Sequence, residues 1–414
     1  MLPRCKSDHR GALGKTVAFA YDRPRMDSGT PLIPIDPLGL TLARFECLAQ
    51  SAGYSPDQAL QAYRRVFREG SGHTTRGQEW ARPSPGPIQS QLVEDTPEGP
   101  TVKFLQRVAG VAGTPLADRI GLEELSVESV LIPMIGRLGQ RSYTLCVSSQ
   151  VGCALGCAFC ETAQMGFIRN LTPAEIVAQW FAARHLLDRR YEIRNLVFMG
   201  MGEPMDNLDA VLEAIRIFCD NNGPALGASN ITVSTVGRID GIGRLASFVT
   251  EPGYRRLGLS VSINAPNDEI RSQIMPINRA MPMDALRSAL LEYPLRPGGK
   301  ICFEYVLIPG INDAPAHADE LAEYLAPFGK WTRATMPRAL VNVIPYNPRR
   351  NSPWPAPSET QVNEFVHRLA QLGVYVKRRR TKGRTLMGAC GQLGVEQIRS
   401  RRRIMPSLGG VPIA

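Results

Sequence analysis

Apolar residues recur at helical spacing between positions 41 and 70, at Leu42, Phe45 and Leu48 and then at Ala59, Ala62, Tyr63, Val66 and Phe67. The pattern predicts two helices joined by a turn at 53–56. A Pro-rich stretch at 82–100 reads as a linker. After it, 101–108 and 127–132 look like strands, the second stopping at Pro133. From residue 143 the period changes. Short β-type runs at 143–148, 195–199, 231–236, 258–263, 301–307 and 340–344 are separated by helical stretches such as 173–187, 208–219, 284–291, 316–325 and 359–372. Six strands with intervening helices predict the α/β class with a parallel sheet or barrel. Units of about 30 to 50 residues favour a partial TIM-like barrel over a flat doubly wound sheet. Function is then expected at the C-terminal ends of those strands. Residues 1–36, punctuated by Gly and Pro without a period, read as disordered.

The chain has 414 residues, 43% hydrophobic and 21% charged, which supplies a full core and excludes a mostly disordered protein. No run approaches the ~18 apolar residues of a membrane span, and no signal-peptide core opens the chain. A cytoplasmic protein without membrane partners is the expectation. The net charge is +10 and is unevenly placed. Between Lys377 and Arg403 stand ten basic residues and one acid, Glu396, a local charge of +9. Such a run attracts a polyanion, RNA or DNA, by phosphate neutralisation; a solvated tail is the plainer alternative.

Nine cysteines are too sparse and uneven for a disulfide scaffold, yet three crowd into VGCALGCAFC as Cys153, Cys157 and Cys160. Structural zinc wants four ligands, and no fourth Cys or His stands nearby at CxxC spacing. Three thiolates on a 4Fe-4S cluster leave one iron open to a ligand. An incomplete zinc site and three unrelated buried cysteines are the alternatives. A second feature, Met199-Gly-Met-Gly-Glu-Pro204, ends the second strand; its glycines admit a ligand to the backbone, and Glu203 can accept a bond from an ammonium group.

The x3-then-x2 cysteine spacing resembles that of the radical-SAM superfamily, with Phe159 at its usual aromatic position and the 199–204 stretch at its methionine-binding strand end. More narrowly, TLCVSSQVGCALGCAFC (144–160), ETAQMGF (161–167), FMGMGEPMDNL (198–208), ITVSTVG (231–237), SINAPNDEIR (262–271), MPINR (275–279), VNVIPYNP (341–348) and ACGQL (389–393) resemble the RlmN/Cfr group of radical-SAM RNA adenine methyltransferases. The resemblance implies a six-stranded partial radical-SAM barrel at 143–376. It places a helical RNA-binding-like module at 37–81, a small β extension within 82–142 and a basic C-terminal segment at 377–414. It implies one 4Fe-4S cluster on Cys153, Cys157 and Cys160, and two S-adenosylmethionine molecules per turnover. Gly202, Glu203, Ser234, Ser262, Ile263, Asn264 and Asn347 would contact that cofactor. Cys390 would take the methyl group, Cys146 would resolve the protein–RNA crosslink through a transient disulfide, and Glu128 would accept the ring proton. Cys5, Cys47, Cys219 and Cys302 match no motif and read as structural. Ring-carbon methylation suits such a cofactor, because an adenine ring carbon is a poor nucleophile.

Two departures bear on the target. Asn264 stands where the family usually has His, and Gly383-Arg-Thr-Leu-Met387 replaces an acidic stretch. The implied activity is methylation of carbon 2 of an adenosine in 23S rRNA, with tRNA as a further substrate, by a monomer drawing electrons from a flavodoxin or ferredoxin. Carbon 8 methylation, or radical-SAM chemistry on another RNA or a small substrate, stays open as the alternative.

Overall fold

The computed structural model describes residues 34–70, 80–110, 124–136, 139–188, 191–332, 335–380, 382–383, 386–389 and 391–394. The disorder expected for 1–36 therefore falls almost wholly outside the described residues. So do Cys390 and the basic residues Arg384, Arg399 and 401–403.

Helices α1 (Leu42–Ser51) and α2 (Pro56–Glu69) lead the described chain. Ser55 and Gln58 exchange bonds that satisfy the first turn of α2, Pro56 occupies its first position, and Gly70 at φ 68° ends it. The buried face of α2 stacks Tyr63 and Phe67 against Phe45 and against Trp180. Trp180 belongs to α3 (Pro173–His185), so the helical pair is packed onto the α/β body.

The first strands are β1 (Ile88–Glu94), β2 (Thr101–Val108), β3 (Leu125–Ile135) and β4 (Arg141–Cys146), paired antiparallel in that order. A separate ribbon pairs β5 (Gln150–Gly152) with β6 (Phe167–Asn170). Then β7 (Ile193–Phe198), β8 (Ile231–Thr235), β9 (Gly258–Ser262), β10 (Ile301–Leu307), β11 (Ala339–Pro345) and β12 (Val376–Arg378) extend the sheet from β4, all parallel. The described sheet thus runs β1-β2-β3-β4-β7-β8-β9-β10-β11-β12, mostly parallel. The remaining helices are α4 (Leu208–Cys219), α5 (Ile239–Phe248), α6 (Asp268–Ile274), α7 (Met283–Glu292), α8 (Pro315–Leu325) and α9 (Glu359–Gln371).

Three sequence expectations need correction. The linker at 82–100 contains an edge strand, β1, whose exposed Gln89, Ser90, Leu92 and Val93 show no polar–apolar alternation to mark it among prolines. Pro133 does not stop β3. Tyr143 N donates to Glu192 O, so the Pro133–Tyr143 pair is a non-hydrogen-bonded one, and the missing N–H faces the side where the pairing with β2 has already ended at Val102–Leu131. Beside the six expected parallel strands, β4 and β7 to β11, a seventh short one, β12, joins the edge. No helix among the described residues is long and apolar enough to cross a membrane.

Candidate active site

The loop carrying Cys153, Cys157 and Cys160 is fixed at its base by the β5–β6 ribbon. Cys153 N donates to Gly166 O at 3.0 Å. Gly152 sits at φ 76°, and a Cβ there would collide with Gly166 O, so only glycine closes this loop. On the far side Ala158 N donates to Ile274 O at the end of α6 (2.9 Å), and Cys157 and Phe159 pack with Ile274 and Met275.

The three cysteines line one cavity with Gly202, Glu203, Ser234, Ser262 and Asn264, enclosing about 1020 Å³ of atom-free space, mouth included. Its walls are the ends of five consecutive parallel strands, β7 to β11, where an α/β sheet is expected to hold its ligand. Burial pushes all three thiols up, Cys153 to about 12. A bound metal cation would supply the charge that lets such thiols ionise. No three His, Cys, Asp or Glu side chains among the described residues converge on a single ion. Three soft donors spread around one cavity suit a multi-iron cluster, in which each thiolate takes a different iron.

Glu203 is 2% exposed and held from three sides. Oε1 accepts from Met205 N and Oε2 from Val236 N, both at 3.0 Å, and its own N donates to Gln150 Oε1 at 2.8 Å. Gly202, at φ 101°, lies so close to Gln150 that an added Cβ would stand 2.6 Å from Gln150 Cβ. Burial raises the Glu203 carboxyl to about 7, although the two backbone donors pull the other way. The folded chain therefore holds a proton here that the unfolded chain has released above its ordinary 4.5. Metal-free protein should lose stability as pH rises from 5 to 7.5, by up to about 3 kcal/mol through this group. In Glu203→Gln that part of the slope should vanish, as read by urea unfolding at the two pH values. An unchanged slope would place the titration elsewhere.

Not every expected cofactor residue faces this cavity. Ile263 is fully buried in the core, with its carbonyl held by Arg271. Asn347 lines an adjoining recess instead, together with Cys146, Ala389 and the cations Arg379, Arg380 and Lys382. The two spaces share Met199, Ile344, Arg379 and Leu393 as a common wall. Asn264 takes the left-handed backbone at φ 55°, which Asn tolerates. Its Oδ1 accepts from Val306 N at 2.9 Å and its Nδ2 points at Met275 Sδ at 3.4 Å, so its amide braces β10 as well as lining the cavity.

Cys390 lies outside the described residues, but the three residues after it are bonded to the body. Glu161 N donates to Gly391 O (2.7 Å), Thr162 Oγ1 to Leu393 O (2.5 Å) and Gln392 Nε2 to Pro348 O (3.1 Å). Glu128 is part of the same closure: Oε1 pairs with Lys103 Nζ and Oε2 accepts from Gly394 N, both at 2.8 Å. Lys103 also donates to Met387 O at 3.0 Å. Sequence reasoning passed over Lys103 and Glu161; a lysine flanked by Val102 and Phe104 in a strand, and an acid directly after Cys160, were the available signals.

The radical SAM superfamily model matches residues 147–323. A probable dual-specificity RNA methyltransferase RlmN 1 of Protochlamydia amoebophila is 42% identical over 288 residues, 69% of this chain and 75% of its own length. The dual-specificity RNA methyltransferase RlmN of Syntrophobacter fumaroxidans is 44% identical over 277 residues, 66% of this chain and 73% of its own. Among solved structures, a radical SAM methyltransferase from Sphaerobacter thermophilus is 34% identical and superposes with a TM-score of 0.74 over 87% of this chain and 99% of that one.

Proposed function

The chain belongs to the RlmN group of radical-SAM RNA methyltransferases, and from that premise we propose that it methylates carbon 2 of an adenosine in 23S rRNA, with tRNA as a second substrate. The observation that carries this reading is the shared wall between two spaces. One is lined by three cysteines and Glu203; the other holds Cys146 beneath a rim of Arg379, Arg380 and Lys382. Cys153, Cys157 and Cys160 would hold the 4Fe-4S cluster. Gly202, Glu203, Ser234, Ser262 and Asn264 would seat S-adenosylmethionine, with Ile263 and Asn347 in support. When bound, the cluster and two molecules of S-adenosylmethionine per turnover supply a hydrogen-abstracting radical and the methyl group.

The chain's own residues do the rest. The basic rim neutralises phosphates on either side of a flipped adenosine, and the base enters beside Cys146. Cys390 carries the methyl carbon into the ring and is left bonded to the RNA. Glu128 takes the ring proton once the cluster, if bound, has taken back the one surplus electron of the adduct. The Cys146 thiolate then attacks the Cys390 sulfur, and the RNA carbon leaves with the sulfur–carbon electron pair and takes up a proton, giving a Cys146–Cys390 disulfide and the methylated base. Glu128 suits this part because both of its oxygens are already bonded to groups around the segment that carries Cys390. The protein would work in the cytoplasm as a monomer, with a flavodoxin or ferredoxin as electron donor.

A second reading is carried by Gly383-Arg-Thr-Leu-Met387, which has a cation where the resemblance leads one to expect an acidic stretch and suits a different RNA target. One experiment separates the readings. Anaerobically reconstituted protein is incubated with methyl-labelled S-adenosylmethionine and ribosomal RNA from cells lacking the enzyme, with Cys390→Ala as control. Label in 2-methyladenosine, lost in the variant, is expected. Label in 8-methyladenosine would move the reaction to the other ring carbon, and cofactor cleavage without labelled nucleoside would refute the rRNA target.

A further inference from the structure

Arg271, on α6, is the largest fully buried side chain among the described residues, and nothing above gives it a task. Its guanidinium donates to three backbone carbonyls, from Nε to Ile263 (3.1 Å) and from Nη2 to Val236 (2.5 Å) and Ser262 (3.4 Å), and from Nη1 to Asn278 Oδ1 (2.7 Å). All four acceptors are neutral, and none of the described carboxylates forms an ion pair with it. The nearest acid in this chain of bonds is Asp268, one residue removed, whose Oδ1 accepts from Asn278 Nδ2 at 2.8 Å. Burial works against the charge; Tyr324, Cys157 and Asp268 favour it.

A guanidinium kept charged in the interior without a direct anion is costly unless something else repays it. Its surroundings show what that is. Its helix is bonded to the cysteine loop through Ala158 N and Ile274 O, and Cys157 packs on the residues that end the helix. Its three carbonyl bonds reach the ends of β8 and β9, the strands that carry Ser234 and Ser262 into the cavity.

We propose that Arg271 tunes the cluster: its fixed charge, buried behind the cavity on the helix whose end packs against Cys157, favours the electron added on reduction and so raises the cluster's reduction potential. The inference rests on the reading that Cys153, Cys157 and Cys160 hold a 4Fe-4S cluster. The step is the transfer of one electron from a low-potential one-electron donor to the oxidised cluster; no bond forms or breaks and no proton moves.

Wild type, Arg271→Lys, Arg271→Met and Asp268→Asn are reconstituted anaerobically and assayed for iron and sulfide. Each is then titrated with dithionite and redox mediators in the absence of S-adenosylmethionine and RNA, the reduced cluster being counted by electron paramagnetic resonance. Arg271→Met should shift the midpoint to more negative potential, Arg271→Lys should stay near wild type, and Asp268→Asn, which removes the acid behind Asn278, should shift it to more positive potential. Equal potentials at full iron content overturn the inference alone. So does a negative shift in Asp268→Asn matching that of Arg271→Met, the mark of loosened packing rather than charge. If Arg271→Met does not fold, Arg271→Gln takes its place: a downward shift supports the inference, and none or an upward one overturns it. A wild-type chain that takes up no iron–sulfur cluster overturns the cluster reading and this inference with it.

Discussion

Cys157→Ala should yield a chain that folds and yet retains almost no iron. The thiol is small and sits in an apolar cluster with Phe159, Ile274, Met275 and Tyr346, so its loss leaves only a minor void, worth on the order of 1 kcal/mol. The consequence for the donor set is of another order. A 4Fe-4S cluster bound through three thiolates has one open iron already, and a second open iron leaves two protein bonds to hold four metals. Iron per reconstituted chain is expected to fall from about four to below about one. Methyl transfer to RNA should fall at least ~10³-fold, beyond any loss a shifted side chain would produce. Iron and sulfide assays beside a far-ultraviolet dichroism spectrum check both halves. Normal iron content in a folded variant would remove Cys157 from the ligand set.

Glu128→Ala combines a chemical loss with a structural one, and the structure shows how to separate them. Lys103 and Glu128 are each less than a tenth exposed, and their 2.8 Å pair is closed on the second carboxylate oxygen by Gly394 N. Removing the acid strands a buried ammonium group, at a cost of about 3–5 kcal/mol. Lys103→Met alone should cost a similar amount by stranding the carboxylate. The double variant should recover much of that stability, since neither charge is then left unpaired. Methyl transfer, in contrast, should stay low in both variants that lack Glu128, with protein–RNA crosslink accumulating on denaturing gels. Urea unfolding of the three variants and a gel of each reaction provide the comparison. Transfer restored along with stability in the double variant would show that Glu128 serves only to hold the segment.

The sequence made the parallel strands legible because each is a short run of β-type apolar residues, and all six runs coincide with β4 and β7 to β11. α5 escaped notice for a physical reason. Gly241 interrupts its pattern, and it is glycine because a Cβ there would stand 2.5 Å from Met205 Cβ, two residues after Glu203. α6 has only seven residues, too few to establish a period, although it carries Arg271. The cysteine motif and Glu203 could be found from local spacing alone. The partners of Glu128 could not: Lys103 lies 25 positions before it and Gly394 266 positions after it, and no window along the chain joins them. Ile263 shows the reverse limit, since motif spacing beside Ser262 and Asn264 says nothing of where a side chain points, and this one turns into the core.

The closure by Gly391, Leu393 and Gly394 also has a meaning in time. Synthesis runs from the N-terminal side, so every strand lining the cavity is made before the residues that bond to Glu161, Thr162 and Glu128 have been added. The α/β body can take shape with its cavity open on that side. The cysteine loop is by then clamped by the β5–β6 ribbon, so its cavity is formed before the later-made stretch at 391–394 can settle against it.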